Sequence, residues 1–203
     1  MKTSLFVTVG FACISLLASC ANPINSYTAQ QYYEYGVQAE RAGDLALARS
    51  DYSRAYGNAQ MGNLGPKAEA YYLYEFARVT GYAGSYAESE KAFLEVLTLI
   101  GKANGAADAL LAPALSEYAR LLHDTGQHAK AVPIYAKAVA ELQKAGVLSS
   151  DPLGYASLLD EYSSSLAAAG FTQQSIEIAS QSESIKETHK GESAKFVARR
   201  YHA

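Results

Sequence analysis

Residues 113–142 have the sequence PALSEYARLLHDTGQHAKAVPIYAKAVAEL. Each half carries apolar residues at the spacing of one face of an α-helix. These residues are Leu115, Tyr118, Ala119 and Leu122 in the first half, and Tyr135, Ala138, Val139 and Leu142 in the second. Gly126 lies between the halves, where a glycine ends a helix in the left-handed conformation. The stretch predicts a helical hairpin, and because one hairpin cannot bury both of its faces, it also predicts neighbours of the same kind.

The hairpin pattern occurs four times along the chain. Its turn glycines are Gly43, Gly84, Gly126 and Gly170, which are 41, 42 and 44 residues apart. Seven residues before each glycine stands a small residue that follows an aromatic one; the small residues are Gly36, Ala77, Ala119 and Ser163. Nine residues after the glycines stand Tyr52, Phe93, Tyr135 and Ala179. Small residues let two helices approach closely, and the aromatic rings fill the space between helices.

These columns resemble the tetratricopeptide repeat. The period of about 42 residues is longer than the common 34-residue form and is similar to the kinesin-light-chain type. The resemblance covers residues 27–190 and implies an all-α, right-handed α-solenoid of about four helical hairpins. The fourth copy departs from the pattern at Ala179 and Ser182, as terminal repeats often do. For residues 191–203 two outcomes are expected, a C-terminal capping helix or a tail.

The first twenty residues, MKTSLFVTVGFACISLLASC, have the form of a secretory signal. Lys2 is followed by a mostly apolar run from Leu5 to Leu17, and residues 17–20 resemble the bacterial lipobox. The resemblance implies a signal peptide over residues 1–19, an acylated Cys20 and a short tether to residue 26. The alternative is an ordinary signal peptide with a chance cysteine near its cleavage site. Ala21 and Asn22 after the cysteine resemble an outer-membrane sorting signal, so the expected location is the bacterial envelope, at the outer membrane and facing the periplasm.

Composition argues against several classes of function. Seventeen Lys and Arg against 20 Asp and Glu give a net charge of −3, which is not the concentrated basic surface that nucleic acids require. Both cysteines lie in the first twenty residues, so the remaining chain has no disulfide and no thiolate site. The four histidines lack metal-ligand spacing, and no phosphate loop or nucleophile elbow occurs. We therefore expect no enzyme, no cofactor and no metal.

The resemblance also implies that the first helix of each hairpin lines a concave groove. By their offset from the small residues, the expected groove residues are Tyr33, Arg41, Tyr71, Tyr74, Arg78, Tyr82, Arg120, His123 and Asp124. Eleven of the 16 tyrosines lie in residues 27–86, and tyrosine and arginine are common anchors of protein interfaces. Taken singly, the tyrosines are better explained by packing between repeats and the arginines by a solvated surface. As a cluster, they predict a binding groove.

The predicted function is that of a non-catalytic, lipid-anchored scaffold. It would bind a protein or peptide partner in the cell envelope and support assembly of a secretion, pilus or outer-membrane complex, which is an expectation from family analogy alone. Two alternatives remain open from the sequence. One is an accessory subunit of a cell-wall or polysaccharide-export enzyme complex, and the other is a lipoprotein that binds a small ligand or glycan.

Overall fold

A computed structural model describes residues 22–201 of the chain. The helices in this range are α1 (Pro23–Arg41), α2 (Leu45–Met61), α3 (Pro66–Tyr82), α4 (Tyr86–Lys102), α5 (Asp108–Asp124), α6 (His128–Lys144), α7 (Val147–Ser150), α8 (Pro152–Ala168) and α9 (Thr172–Thr188). None of them is both long and apolar enough to cross a lipid bilayer. The predicted signal peptide and acylated Cys20 lie outside the described residues.

Four successive hairpins form the solenoid that the sequence predicts. Helices α1–α2, α3–α4, α5–α6 and α8–α9 pair most extensively, and each hairpin packs on the next through α2 with α3, α4 with α5, and α6 with α8. Helix α7 is a single turn in the connection from α6 to α8. The turn glycines of the four hairpins all have positive φ, between 73° and 88°. Glycine adopts this conformation without the steric cost that a side chain would bring.

The repeated columns form the contacts inside each hairpin. Tyr52, Phe93 and Tyr135 are at most 1% exposed and fill the space between the two helices. A Cβ atom at Gly36 would lie 2.7 Å from the Tyr52 ring, so this position needs a residue without a side chain. The all-α packing predicted from small and aromatic columns is therefore confirmed in the first three hairpins.

The fourth hairpin is held differently, because its aromatic column is lost. Ser163 on α8 and Ser175 on α9 exchange hydrogen bonds, each hydroxyl donating to the other's carbonyl oxygen at 3.0 and 2.9 Å. Ser182 donates to the Ala156 carbonyl oxygen at 3.0 Å. Hydrogen bonds between buried hydroxyls and backbone satisfy groups that would otherwise be costly to bury. In this hairpin, serine hydroxyls that bond to the backbone link the two helices, where the other hairpins have an aromatic ring.

The tether predicted for residues 23–26 is wrong, since these residues form the first turn of α1. The Asn22 side chain caps the helix by accepting a hydrogen bond from the Ile24 N–H at 3.0 Å. Pro23 follows at the first helical position, where its fixed φ suits a helix start. The Asn22 N–H also donates to the Gly62 carbonyl oxygen at the end of α2, at 2.9 Å. The repeat domain therefore includes residues 22–26.

Of the two outcomes expected for residues 191–203, a capping helix or a tail, the described part forms a tail. No residue after Thr188 is helical within the described range, and residues 192–201 have no regular secondary structure. We call these residues the C-terminal segment. Phe196 and Val197 are 58% and 83% exposed. Tyr201 is instead 1% exposed and lies against the first helices of the hairpins.

Candidate functional site

The first helices of the four hairpins, α1, α3, α5 and α8, form one face of the solenoid, which we call the groove. All nine residues predicted from the sequence to line it lie on α1, α3 and α5. The structure divides them into two groups. Tyr33, Arg41 and Tyr71 lie at the open N-terminal part of the groove, whereas Tyr82, Arg120, His123 and Asp124 lie where the C-terminal segment covers it. Arg78 and Tyr74 lie between the two.

Arg78 holds two helices together across the groove. Its guanidinium donates to both carboxylate oxygens of Glu40 on α1, at 2.8 and 2.7 Å, and to Glu75 on its own helix, at 3.1 and 2.7 Å. Burial would lower the pKa of Arg78, but the two carboxylates outweigh burial and raise that pKa. Such forked pairs fix the geometry of both partners. Arg78 therefore has a structural role in the groove floor.

Arg120 repeats this arrangement one hairpin later, and it is almost completely buried. It donates to Glu117 on α5 at 2.7 Å and to both oxygens of Glu161 on α8 at 3.2 Å. Only 3% of the residue is exposed. The expectation that Arg120 is free to face a partner is therefore wrong, because two carboxylates of the same chain use its donors.

A column of glutamates was not recognised in the sequence. Glutamate stands two residues before the small residue in all four copies, as Glu34, Glu75, Glu117 and Glu161. The last three pair with the arginines of the groove. Charged residues at one offset in every repeat are a signal that periodicity analysis could have found. Their pairing with arginine, however, depends on which helices become neighbours.

Asp124 is the main attachment point of the C-terminal segment. Its carboxylate forms an ion pair with Arg200, and its second oxygen accepts the Tyr201 N–H at 2.8 Å. Arg200 also pairs with Glu161. The expectation that Asp124 faces an external partner is wrong for this conformation, since only 7% of its side chain is exposed.

The Tyr201 side chain occupies a narrow slot between α3 and α5. Its ring stacks on the Tyr82 ring with centroids 4.6 Å apart, and its hydroxyl donates to Glu117 at 2.7 Å. A Cβ atom at Gly81 would lie 2.5 Å from the Tyr201 ring, so the slot exists because that residue is glycine. The Arg199 guanidinium lies 4.9 Å from the centre of the Tyr82 ring, on which it forms a cation–π contact.

Asp151 holds the other end of the C-terminal segment. Its carboxylate caps α8 through the Gly154 N–H at 3.1 Å, and it accepts the N–H groups of Lys195 and Phe196, each at 3.0 Å. Burial alone would raise the pKa of Asp151, but these backbone donors lower it. A side chain at Gly154 would collide with the carboxylate, at 2.2 Å, so this glycine makes room for the contact.

His123 lies beside the covered part of the groove. Its Nδ1 is hydrogen-bonded to the Ser165 hydroxyl at 2.8 Å, and its ring contacts the rings of His128 and Tyr135. Burial and the nearby Arg200 lower the pKa of His123. The lowered pKa favours the neutral form of this imidazole.

Two of the cavities along the groove are lined by its arginines. The first, of about 390 Å³, lies over α1 and α3 and is lined by Tyr33, Arg41 and Arg78 together with Arg199. The second, of about 230 Å³, lies under the C-terminal segment between Tyr74, Arg120, Tyr155 and Phe196. Tyr71 and Tyr33 join their hydroxyls at 2.6 Å beside the first cavity. In the described part of the chain, no three histidine, cysteine, aspartate or glutamate side chains form a group suited to a metal ion.

No protein-family model and no curated protein matches the chain. Among solved structures, a protein of Podosopora anserina described as a kinesin light chain with nearly identical TPR-like repeats is 18% identical, with a TM-score of 0.61, and the likeness covers 81% of this chain and 77% of that one. Aspartyl phosphate phosphatase F of Bacillus subtilis is 16% identical, with a TM-score of 0.57 over 88% of this chain and 54% of that one. These likenesses confirm a fold of the tetratricopeptide-repeat type.

Proposed function

We propose that this protein is a non-catalytic, lipid-anchored scaffold of the bacterial envelope that binds an extended segment of a partner protein in its groove. One observation carries the proposal: the groove already holds a non-helical stretch of polypeptide, residues 192–201, through both side chains and backbone N–H groups. A surface that accommodates one such chain has the shape and the donor and acceptor groups to accommodate another.

The open part of the groove is where a partner makes first contact. Arg41 is exposed there, and Tyr71 is 40% exposed. Tyrosine and arginine contribute much of the binding energy in many interfaces, because each combines a large contact area with hydrogen-bonding groups. A protein with a lipid anchor and such a groove is suited to support the assembly of a secretion, pilus or outer-membrane complex.

Site-specific crosslinking tests the groove. A photoreactive residue placed at Tyr71 should crosslink one envelope protein in living cells, whereas the same residue at Lys137, exposed on α6, should not. Arg41→Glu should remove the crosslink, and Lys137→Glu, which makes the same charge change outside the groove, should leave it intact. A crosslink of equal yield from both positions, or none from position 71, would contradict the proposal.

The anchor is tested separately, and its support is the sequence of residues 17–20. Cys20→Ser should abolish labelling by a radioactive or clickable fatty acid and release the protein from membranes, because two or more acyl chains are needed for stable attachment. Persistent membrane retention of the unlabelled variant would argue against the lipobox.

A further inference from the structure

We propose that the C-terminal segment is an internal ligand of the groove, and that the partner displaces it with an extended segment in which an arginine directly precedes an aromatic residue. The inference deepens the proposed function and rests on it for the existence of a partner. It specifies the chemistry of the partner's binding segment, and it identifies the C-terminal segment as the competitor that this partner must displace.

The charges beneath the segment demand a cation. Glu117, Glu161 and Asp124 lie close together there, and Arg120 of α5 pairs with the two glutamates. Arg200 brings a second guanidinium, which contacts both Asp124 and Glu161. A buried carboxylate without a counter-charge is strongly unfavourable. Any chain that replaces the segment must therefore place a positive charge at the position of Arg200.

The slot beside this charge selects an aromatic ring. It is bounded by the flat Tyr82 ring, by the bare backbone of Gly81 and by the Glu117 carboxylate, which accepts a hydrogen bond at 2.7 Å. Tyr201 fits it with ring and hydroxyl, and 1% of the residue stays exposed. A planar ring with a donor at its tip satisfies all three walls. The arginine and the ring are adjacent in sequence, so the preferred ligand carries Arg-Tyr.

Backbone contacts fix the rest of the ligand without selecting its sequence. Asp151 accepts two N–H groups near one end, and Asp124 accepts another at the other end. Ten residues of helix separate Asp151 from Glu161, which is about 15 Å. Phe196 and Arg200 are four positions apart, which corresponds to about 13 Å in an extended chain. The groove therefore matches an extended segment and not a helical one, whose four residues would span about 6 Å.

The segment is bound in a way that permits its replacement. Tyr201 is its one fully buried apolar side chain, and Phe196 and Val197 project mostly into solvent. Polar contacts therefore provide most of its attachment, and a chain that makes the same contacts can exchange with it. The open cavity of about 390 Å³ adjoins the covered part, because Arg199 lines it. A partner seated there lies next to the segment that it must displace.

The exchange is testable with a peptide of residues 192–201, ESAKFVARRY, added to the full chain. The probe is the fluorescently labelled peptide, and binding is followed by anisotropy. The full chain with Arg200→Ala and Tyr201→Ala should bind it at least 10-fold more tightly than the wild type, because its own segment no longer competes. A matched peptide with Arg200→Glu should lose this binding. Equal affinity for both proteins, or no binding to a variant whose circular dichroism is unchanged, would overturn the inference.

A second measurement uses the wild-type chain, so its result does not depend on whether a variant folds. Excess unlabelled peptide added to 15N-labelled protein should shift the amide resonances of Lys195, Phe196 and Tyr201 to the positions of an unstructured segment, and the Arg200→Glu peptide should not. Unmoved resonances at saturating peptide would contradict displacement. A peptide that exchanges with the segment while no partner is crosslinked from position 71 would contradict the proposed function. That combination would still support the Arg-Tyr chemistry of the ligand.

Discussion

Among single residues, Glu117 joins the groove to the C-terminal segment. It is 3% exposed and accepts hydrogen bonds from Arg120, Tyr82 and Tyr201. Arg120 lies on α5 itself, Tyr82 lies on α3, and Tyr201 belongs to the C-terminal segment. Its carboxylate therefore connects the floor of the groove with the segment that fills it.

Glu117→Ala should lower the free energy of unfolding by about 3 kcal/mol, because it leaves the Arg120 guanidinium with half of its buried counter-charge. Urea denaturation followed by circular dichroism measures the change. Glu187→Ala is the control, since Glu187 is exposed and pairs with Lys190 at the surface. Surface pairs of this kind contribute less than about 1 kcal/mol. Similar losses in the two variants would show that Glu117 is not a buried hub.

His123 reports on the occupancy of the segment. Burial and Arg200 lower its pKa, while Asp124 and Glu161 act in the opposite direction. Arg200→Ala should raise the pKa of His123 toward its ordinary value of about 6.5, because it removes the positive charge. A titration of the ring proton resonances by NMR measures the shift. An unchanged pKa would mean that Arg200 does not lie beside this ring.

The same shift makes stability depend on pH. A histidine whose pKa is lower in the folded than in the unfolded state binds a proton more readily when unfolded. Its contribution is therefore fully present above about pH 6.5 and is lost as the pH falls through the folded-state pKa. Thermal melts of the wild type and of His123→Gln should differ less at pH 5 than at pH 7.

How far single residues could be predicted from sequence depends on whether the signal is local. Tyr135 and Ala131 repeat at fixed offsets, so their burial was predictable from the period. Arg120 also repeats, but its burial depends on Glu161, which approaches it only after the fourth hairpin has stacked. The position of Arg120 within the repeat predicted the correct face of the helix. It could not show that the guanidinium N–H groups are already bonded to glutamates of the same chain.

At the scale of elements, the C-terminal segment departs furthest from expectation. Residues 192–201 carry too little periodicity to predict their conformation. The position of Tyr201 is set by Gly81 and Glu117, both far away in sequence. The start of α1, which was predicted to be a tether, does carry a local signal, because Asn22 and Pro23 are residue types that begin helices.

Gly81→Ala tests the element directly. The new Cβ atom would lie 2.5 Å from the Tyr201 ring and 2.8 Å from the Ser89 hydroxyl, so one of them must move. We expect Tyr201 to leave its slot, with loss of the stacking shift on the Tyr82 ring resonances. Gly57→Ala in the middle of α2 is the matched control, since nothing lies within 4 Å of the added atom.

The control variant should gain about 0.5–1 kcal/mol of stability, because alanine favours a helix over glycine. A Gly81→Ala protein whose Tyr82 resonances match the wild type would show that the slot tolerates a side chain. That outcome would remove the steric argument for the placement of Tyr201.

In the molecule as a whole, the C-terminal segment adds contacts that a simple repeat array lacks. Hairpins in a solenoid contact only their neighbours, so stability is usually a sum of local terms. The segment touches α8 at Asp151, α5 at Asp124 and α3 at Tyr82. It therefore links the last three hairpins and couples occupancy of the groove to the stability of the array.

The repeat period specified this array from sequence, because each hairpin carries its own small and aromatic columns. The occupied state of the groove was not predictable in the same way. It depends on contacts between the C-terminal segment and residues of three hairpins, and no local sequence pattern indicates such long-range contacts.

Hydrogen exchange of the Tyr201 amide in the full wild-type chain tests the central claim most directly. The claim is that the C-terminal segment occupies the groove, with this N–H donated to Asp124 at 2.8 Å. The predicted result is exchange about 100-fold slower than in an unstructured peptide, with that protection lost in Arg200→Ala. Exchange at the unstructured rate in the wild type would contradict the account, because the segment would then lie outside the groove.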